Sequence, residues 1–181
     1  MKAIPVSQTR LEMSEVMTPN DANFLGNVFG GRILALLDLV AYATSSRFAG
    51  TICVTASFDR VDFHQAVNVG NLVTCIGLIT YVGRTSVEVT VEVYAEDVLK
   101  RTRQHTNTAR VTMVAVDKDG KPTEVPRLIC ETREDKVRFL EGKLRRELRG
   151  VQRQEFEKHA ADIRQADESR LDALIEQTSL L

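Results

Sequence analysis

Several residue types are scarce in this 181-residue chain, which has no tryptophan, four prolines and three cysteines. Cys53, Cys75 and Cys130 are odd in number and widely spaced, with no CxxC pair, which argues against a disulfide framework and a zinc site. No apolar run approaches the ~18 residues of a membrane-spanning helix. The first ten residues, MKAIPVSQTR, lack the apolar core of a signal peptide. These absences predict a cytoplasmic protein.

A strong net charge is also missing. The 24 basic residues almost balance the 25 acidic ones, giving a formal net charge of −1. No overall basic field therefore attracts nucleic acid or an anionic membrane, and we expect neither as a partner. Composition divides the chain into a compact domain, residues 1–130, and a highly charged extension, residues 131–181.

The compact domain reads as one helix and several strands. Apolar residues fill nearly every position from Ile33 to Val40, which predicts a helix over residues 29–48 that is buried on most sides and ended by Gly50. Short turns between successive strands favour an antiparallel sheet. Apolar and polar residues alternate over residues 86–94, so one side of that strand, which includes Glu88, is predicted to face solvent. We therefore predict an α+β fold, an antiparallel sheet wrapped around one long central helix. The predicted strands cover residues 9–17, 52–63, 72–82, 86–94 and 104–116.

The extension has a helical pattern of its own. Its apolar residues are spaced by 3, 4, 4 and 3 positions, as on one face of an amphipathic helix. We predict a C-terminal helical extension that covers the sheet or another subunit. The alternative is a solvated tail. The residues of this stripe are Val137, Leu140, Leu144, Leu148 and Val151.

The segment DANFLGNVFGGRILALLD, residues 21–38, contains the candidate catalytic residues. Asp38 is an acid among leucines, and burial of a carboxylate in such surroundings suits a general base, although packing networks also bury carboxylates. Gly30 and Gly31 have no side chains to cover the backbone N–H groups at the start of the helix, so these groups can donate hydrogen bonds to an oxyanion. The alternative is that the two glycines only permit a tight turn into the helix. Asp38 comes two turns after Gly31, so both point to the same side.

Two further groups of residues are candidates for substrate contacts. Asn23 and Asn27 flank Gly26 and can orient a water or a carbonyl; capping of the helix is the more probable role for Asn27. The turn Gly83-Arg84-Thr85-Ser86 sets a cation beside two hydroxyls, as in a phosphate contact. The alternative is that the turn is only an exposed, soluble connection between two strands, as such turns more often are.

At these residues the chain resembles the cytosolic acyl-CoA hydrolase family, the hotdog thioesterases that include bacterial YciA-type enzymes and mammalian acyl-CoA thioesterases. The resemblance covers about residues 10–128. Two departures are Ala66, where the family usually has proline, and Asn71, where it usually has an acid. The matching segments, in order, are NDANFLGNVFGGRILALLD, VDFH, VNVGNLV, YVGRTSVEVTVEVYAED and ARVTMVAVDKDGKPTEVP.

The resemblance implies a hotdog fold, a double-hotdog dimer and commonly a hexamer, with the active site between subunits. It implies that Asn23 and Asp38 are catalytic and that the Gly31 amide polarises the thioester carbonyl. Substrate contacts are expected from the segment around the Gly30-Gly31 turn and from the turn Gly83–Ser86. The expected reaction is the hydrolysis of acyl-CoA to a fatty acid and coenzyme A without a cofactor. The substrate-binding residues are Asn27, Gly30, Gly83, Arg84, Thr85 and Ser86.

Two other functions remain as alternatives. An acyl-CoA hydratase or dehydratase on the same fold normally needs a histidine paired with an acid, and residues 21–38 contain no histidine. A non-catalytic acyl-CoA sensor would not need Asp38. Release of free thiol distinguishes both from a thioesterase.

Overall fold

The computed structural model describes residues 2–63 and 65–179. The chain forms two compact units, residues 1–142 and residues 143–181. The first unit contains a five-stranded sheet, a small two-stranded sheet and helix α1. Helix α2 begins in the first unit and continues into the second.

Helix α1, Gly30–Ala49, is the predicted central helix. Gly50 ends it in a left-handed conformation (φ 70°) that glycine adopts without steric cost. The helix lies very close to the sheet at Gly77, where an added Cβ would overlap Thr44 Oγ1 and come within 2.9 Å of Val40 Cγ1. Its buried face consists of Ile33, Leu36, Leu37, Val40, Ala41, Thr44, Ser45 and Phe48.

The five-stranded sheet wraps this helix and is antiparallel at every strand pair, in the order β2-β4-β5-β6-β3. Alternate residues of the central strands face α1 and are fully buried, because the strand period of two turns every second side chain inward. Strand β3 lies at one edge, with β6 as its only neighbour in the described sheet. The strands are β2 (Leu11–Val16), β3 (Cys53–Phe58), β4 (Leu72–Val82), β5 (Ser86–Asp97) and β6 (Thr102–Ala115).

The predicted solvent-facing side of β5 is wrong at Glu88, which is only 1% exposed. Helix α2, Arg133–Gln165, begins against this outer face. A Cβ at Gly142 would lie 2.5 Å from Tyr81 Cβ and 3.0 Å from Glu88 Oε1, and the ring centroids of Tyr81 and Phe139 are 5.0 Å apart. The first turns of α2 therefore cover a polar position that the alternation assigned to solvent. Thr80 Oγ1 donates to Glu88 Oε1 at 2.9 Å.

Strands β1 (Ile4–Pro5) and β7 (Leu128–Ile129), which the pattern did not predict, pair in parallel as a separate sheet. The predicted strand over residues 52–63 is shorter than expected and ends at Phe58. The remaining elements agree with the predicted ones to within a few residues at their ends.

The second unit is helical. It comprises the rest of α2 and helix α3, Glu168–Ile175, whose first turn is capped by Asp167 accepting a hydrogen bond from the Arg170 backbone at 2.8 Å. None of its described residues, 143–179, is buried. Across the described part of the whole chain, no helix is long and apolar enough to cross a membrane.

Candidate active site

The carboxylate of Asp38 accepts a short hydrogen bond from a residue that the sequence did not single out. Thr55 Oγ1, on edge strand β3, donates to Asp38 Oδ1 at 2.6 Å. The same hydroxyl lies 3.5 Å from Met113 Sδ on the neighbouring strand. This contact fixes the carboxylate between α1 and the sheet edge and leaves Oδ2 for other partners. The sequence does not distinguish Thr55 from the other strand hydroxyls, and only the fold brings it to Asp38.

The expectation that Asp38 is buried in an apolar helix needs correction, because Asp38 is half-buried in the chain. Leu34 and Leu39 beside it are 38% and 47% exposed, and Tyr42 is 43% exposed. The apolar stretch of α1 thus has two apolar sides: one packs on the sheet, and the other, which includes the Asp38 region, faces outward. An accessible carboxylate on an apolar outer face is available to a ligand or to another subunit.

Asn23 is held in a tight loop before α1. Its Oδ1 accepts the backbone N–H groups of Leu25 at 2.9 Å and Asn27 at 3.2 Å, and its own N–H donates to the Asn27 carbonyl at 2.6 Å. Gly26 completes the loop with φ 82°. Both backbone donors engage Oδ1. The described residues give the Nδ2 amide no acceptor, so it can donate to a carbonyl or a water.

The N-terminus of α1 presents uncovered amides. Phe29 is the N-cap residue and makes no side-chain cap, and the described residues offer no acceptor to the Gly30 and Gly31 N–H groups. A Cβ at Gly31 would overlap the Phe29 ring, whereas a Cβ at Gly30 would meet only Phe63 Cζ at 3.8 Å. The Phe29 ring therefore lies against the Cα of Gly31, and the helix dipole favours negative charge at this end of α1.

Asn27 does not cap α1, contrary to the prediction. It pairs instead with Asn68 in an isolated bridge, and the neighbouring Val28 N–H donates to the Val67 carbonyl at 2.8 Å. Asn71, one of the family departures, is almost buried and accepts the Asn68 N–H through Oδ1 at 3.0 Å. Asn27 thus ties the loop before α1 to the turn that precedes β4, and Asn71 stabilises that turn from within.

The loop is anchored on its other side by Asp21. Its carboxylate accepts the Thr18 backbone N–H at 2.8 Å and the Thr18 hydroxyl at 2.7 Å. Arg32, in the first turn of α1, donates to Asp21 Oδ1 at 3.0 Å. The hydrogen bonds from Thr18, supported by the charge of Arg32, lower the pKa of Asp21. The loop that carries Asn23 is therefore fixed to the helix start.

The turn Gly83–Ser86 is not close to the glycine pair. It joins β4 to β5, with the Gly83 N–H donating to the Ser86 carbonyl at 2.7 Å, and Arg84 is exposed at its tip. The Asn27 loop contacts the turn before the other end of β4, and β4 has 11 residues, about 33 Å at the usual rise per residue. The two sets of candidate substrate contacts therefore lie at opposite ends of one chain's sheet.

The chain offers no evident metal ligands or thiol nucleophile at these positions. The described residues include no cluster of three or more metal-ligating side chains. Cys53 and Cys75 are buried, and burial raises the pKa of both thiols, that of Cys75 to about 11. They are therefore protonated at neutral pH.

Comparison with known proteins gives the class and then the family. A family model described as the Thioesterase superfamily matches residues 25–101. The chain is 45% identical to protein VdlD of Helicobacter pylori over 139 residues, which are 77% of this chain and 79% of VdlD. It also superimposes on an apo-hexameric acyl-CoA thioesterase with a TM-score of 0.80 and 38% identity, covering 84% of this chain and 97% of the other.

A second similar structure is the acyl-CoA hydrolase of Staphylococcus aureus in complex with butyryl coenzyme A and coenzyme A. It has a TM-score of 0.78 and 29% identity, covering 90% of this chain and 99% of that enzyme. Variants of that enzyme have been solved in which an asparagine, an aspartate and a threonine are each replaced by alanine. The three replaced positions are separated by 15 and then 17 residues.

The chain belongs to the acyl-CoA thioesterase family of the thioesterase superfamily. The predicted family and hotdog fold are confirmed, including the antiparallel sheet around one long helix.

Proposed function

We propose that this enzyme hydrolyses acyl-CoA thioesters to a free fatty acid and coenzyme A, with Asp38, Thr55, Asn23 and the Gly31 amide at the reacting centre. The hydrogen bond from Thr55 to Asp38 carries the assignment, because it holds a carboxylate, accessible from the apolar outer face of α1, in one orientation. The intervals from Asn23 to Asp38 and from Asp38 to Thr55 are 15 and 17 residues, the same as between the positions replaced in the S. aureus enzyme.

In this mechanism the thioester carbonyl oxygen accepts the Gly31 N–H, which favours the charge that develops on that oxygen. Asp38 either removes a proton from the attacking water or attacks the carbonyl itself to form an anhydride that water then opens. Asn23 donates its Nδ2 amide to the carbonyl or the water. The carbon–sulfur bond breaks, and the coenzyme A thiolate leaves and takes up a proton. These steps need no metal or redox cofactor.

The geometry favours a site shared by two chains. Asp38 comes seven residues after Gly31, about 10 Å along the helix axis, and Asn23 precedes the helix altogether. Catalytic atoms must approach the reacting atoms of one thioester to within about 3.5 Å. We propose that Asn23 and Gly31 of one subunit face Asp38 and Thr55 of another.

Exposed apolar side chains in the Asn23 loop and on β3 support such an assembly. Phe24 and Leu25 project from the Asn23 loop almost fully exposed, and Val54 on edge strand β3 is 47% exposed. An open strand edge beside apolar side chains is suited to pairing with a second copy. We propose a dimer joined along this surface, within a hexamer of the kind found for the similar apo-hexameric thioesterase.

The coenzyme part of the substrate is assigned to the turn at the end of β4. Arg84 is exposed beside Thr85 and Ser86, and a cation flanked by hydroxyls suits a phosphate. Asn27, Gly30 and Gly83 complete the proposed substrate contacts. We also propose a cytoplasmic location, in keeping with the similar rat enzyme, which is named a cytosolic acyl coenzyme A thioester hydrolase and of whose length this chain covers 37%.

The function is tested by measuring free thiol released from a medium-chain acyl-CoA. We expect Asp38→Asn to lose about 100-fold or more in kcat, the usual contribution of a general base, and Asn23→Ala to lose about 10- to 1,000-fold. Asn20→Ala, an exposed asparagine in the same segment, serves as the matched control and keeps wild-type activity. Hydration of an enoyl-CoA without thiol release, or near-wild-type rates in both folded variants, would contradict the proposal.

A further inference from the structure

Helix α2 carries an apolar stripe whose five side chains are all exposed. Within the stripe, Val137 is 40% exposed, Leu140 62%, Leu144 53%, Leu148 48% and Val151 55%. At 100° per residue, all five lie within about 40° of the direction of Leu144. They therefore form one continuous face about four turns long.

The part of the chain beyond residue 142 cannot stabilise this face by itself. None of the described residues from 143 to 179 is buried. A helical segment of this size without a core normally depends on association or staples for stability. An exposed, regularly spaced apolar stripe on a long helix is therefore expected to pack against another helix.

The spacing of the stripe fits a second copy of the same helix, because it is symmetric about Leu144. Leu140 and Leu148 each lie four residues from Leu144, and Val137 and Val151 each lie seven residues from it. A second copy of the helix running antiparallel across Leu144 places each of these side chains opposite its counterpart, as two-fold symmetry requires. An unrelated partner helix would not need this symmetry.

The charges beside the stripe match the same arrangement. At 100° per residue, Lys143 and Glu147 lie on the same flank of the stripe. In an antiparallel pair centred on Leu144, equal flanks face each other, so Lys143 of each helix meets Glu147 of the other. Both of these inter-helix neighbours have opposite charge, which favours this pairing and register.

We propose that α2 is a self-association element that pairs two copies of this chain antiparallel, with Leu144 of both copies meeting on the two-fold axis. A contact four turns long is small for an interface that stands alone. It therefore acts together with the contacts of the catalytic units, joining subunits of one assembly or adjacent assemblies. The proposal depends on α2 and not on the proposed activity.

Cysteine cross-linking of the full-length protein tests both the pairing and its direction. The background carries Cys130→Ser, because Cys53 and Cys75 are buried. Only two cysteines that meet closely form a disulfide, with Cα atoms usually within about 7 Å. After mild oxidation we expect Leu144→Cys to give about tenfold more covalent dimer than Arg146→Cys, the control on the opposite helix face. Co-expressed Leu140→Cys and Leu148→Cys chains also give covalent dimer, while Leu148→Cys alone does not.

Two outcomes would overturn the proposal. Efficient cross-linking of Leu148→Cys alone indicates a parallel pair, since parallel helices bring every stripe residue against itself. Absence of dimer from both Leu144→Cys and the mixed pair rules out the contact. Because Leu144 is half exposed in the chain, these variants keep their fold and thiol-releasing activity, so a failure here is distinct from a failure of the proposed function.

Discussion

At the scale of single residues, the hydroxyl of Thr55 is expected to act by positioning Asp38. Thr55→Val keeps the shape of the side chain and removes the donor at 2.6 Å from Asp38 Oδ1. A hydrogen bond to a charged group contributes about 1.5–3 kcal/mol, so we expect kcat to fall about 10- to 100-fold with little change in KM. Thr55→Ser retains the donor and most of the activity.

Steady-state kinetics and a melting curve for both variants check this prediction. Thr55 is exposed, so the melting temperature of Thr55→Val should stay close to wild type. Equal kcat values for the valine and serine variants would show that the hydroxyl does not matter. A large drop in melting temperature would instead point to a purely structural role.

Gly31 and Gly30 offer a matched pair for testing the amide at the start of α1. An alanine methyl at Gly31 overlaps the Phe29 ring, which is 59% exposed and free to swing away, whereas a methyl at Gly30 meets nothing closer than 3.8 Å. We expect Gly31→Ala to fold normally and to lose about 10-fold or more in kcat, because the methyl and displaced ring crowd the oxyanion position. Gly30→Ala should lose less in kcat than Gly31→Ala, because its methyl does not displace the Phe29 ring.

Thiol release and circular dichroism of the two variants provide the comparison. If Gly31→Ala keeps the wild-type kcat while folded, the thioester carbonyl does not lie where the methyl and the displaced ring would crowd it. An equal loss of kcat in both variants would point to the flexibility of the glycine pair instead.

At the scale of elements, Gly142 is expected to let α2 lie against the sheet. A Cβ there would come 2.5 Å from Tyr81 Cβ and 3.0 Å from Glu88 Oε1. Gly142→Ala therefore forces the helix outward, and overpacking of this kind typically costs about 1–3 kcal/mol in the free energy of unfolding. Gly150→Ala, on the same helix with nothing within 4 Å, should gain up to about 1 kcal/mol from helix propensity.

Chemical denaturation of both variants measures the expected loss of unfolding free energy for Gly142→Ala and the expected gain for Gly150→Ala. The glycine-to-alanine change is the same in each, so helix propensity is common to both and the difference reports the contact with Tyr81 and Glu88. Equal stabilisation of the two variants would mean that α2 does not need its close approach at Gly142.

Elements with long periodic patterns could be predicted from the sequence. The long apolar run gave α1, and the strand β4 was predicted with the bounds that the structure has, Leu72–Val82. Strands β1 and β7 have two residues each, too few to show any period. Glu88 was assigned to solvent because alternation reports which side of a strand faces the central helix, and it cannot report that a distant helix covers the other side.

The candidate site was predicted in part for a similar reason. Asn23, Gly31 and Asp38 lie in one contiguous segment, so their local pattern was visible. Thr55 lies on a different element and meets Asp38 only through the packing of edge strand β3 beside α1. The half-buried state of Asp38 was missed because an apolar run does not distinguish a helix face that packs on its own sheet from one left for another subunit.

At the scale of the whole molecule, a site shared between subunits predicts that two inactive variants restore each other. Asn23→Ala lacks one half of the site and Asp38→Ala the other, so each alone is nearly inactive. In a mixed dimer, one of the two sites combines the intact Asn23 of one chain with the intact Asp38 of the other. Random mixing makes half of the dimers mixed, so co-expression in equal amounts should recover roughly one quarter of wild-type activity.

The alternative, a site contained within one chain, predicts no recovery at any mixing ratio, because every chain then carries one defective site. Co-expression of Asp38→Ala with Thr55→Val is the matched control, since the proposal places both residues on the same half of the site. In that mixture each mixed dimer has one site lacking Asp38 and one lacking the Thr55 hydroxyl, so activity cannot exceed that of Thr55→Val alone. Recovery in the first mixture without recovery in the second assigns Asn23 and Asp38 to opposite subunits.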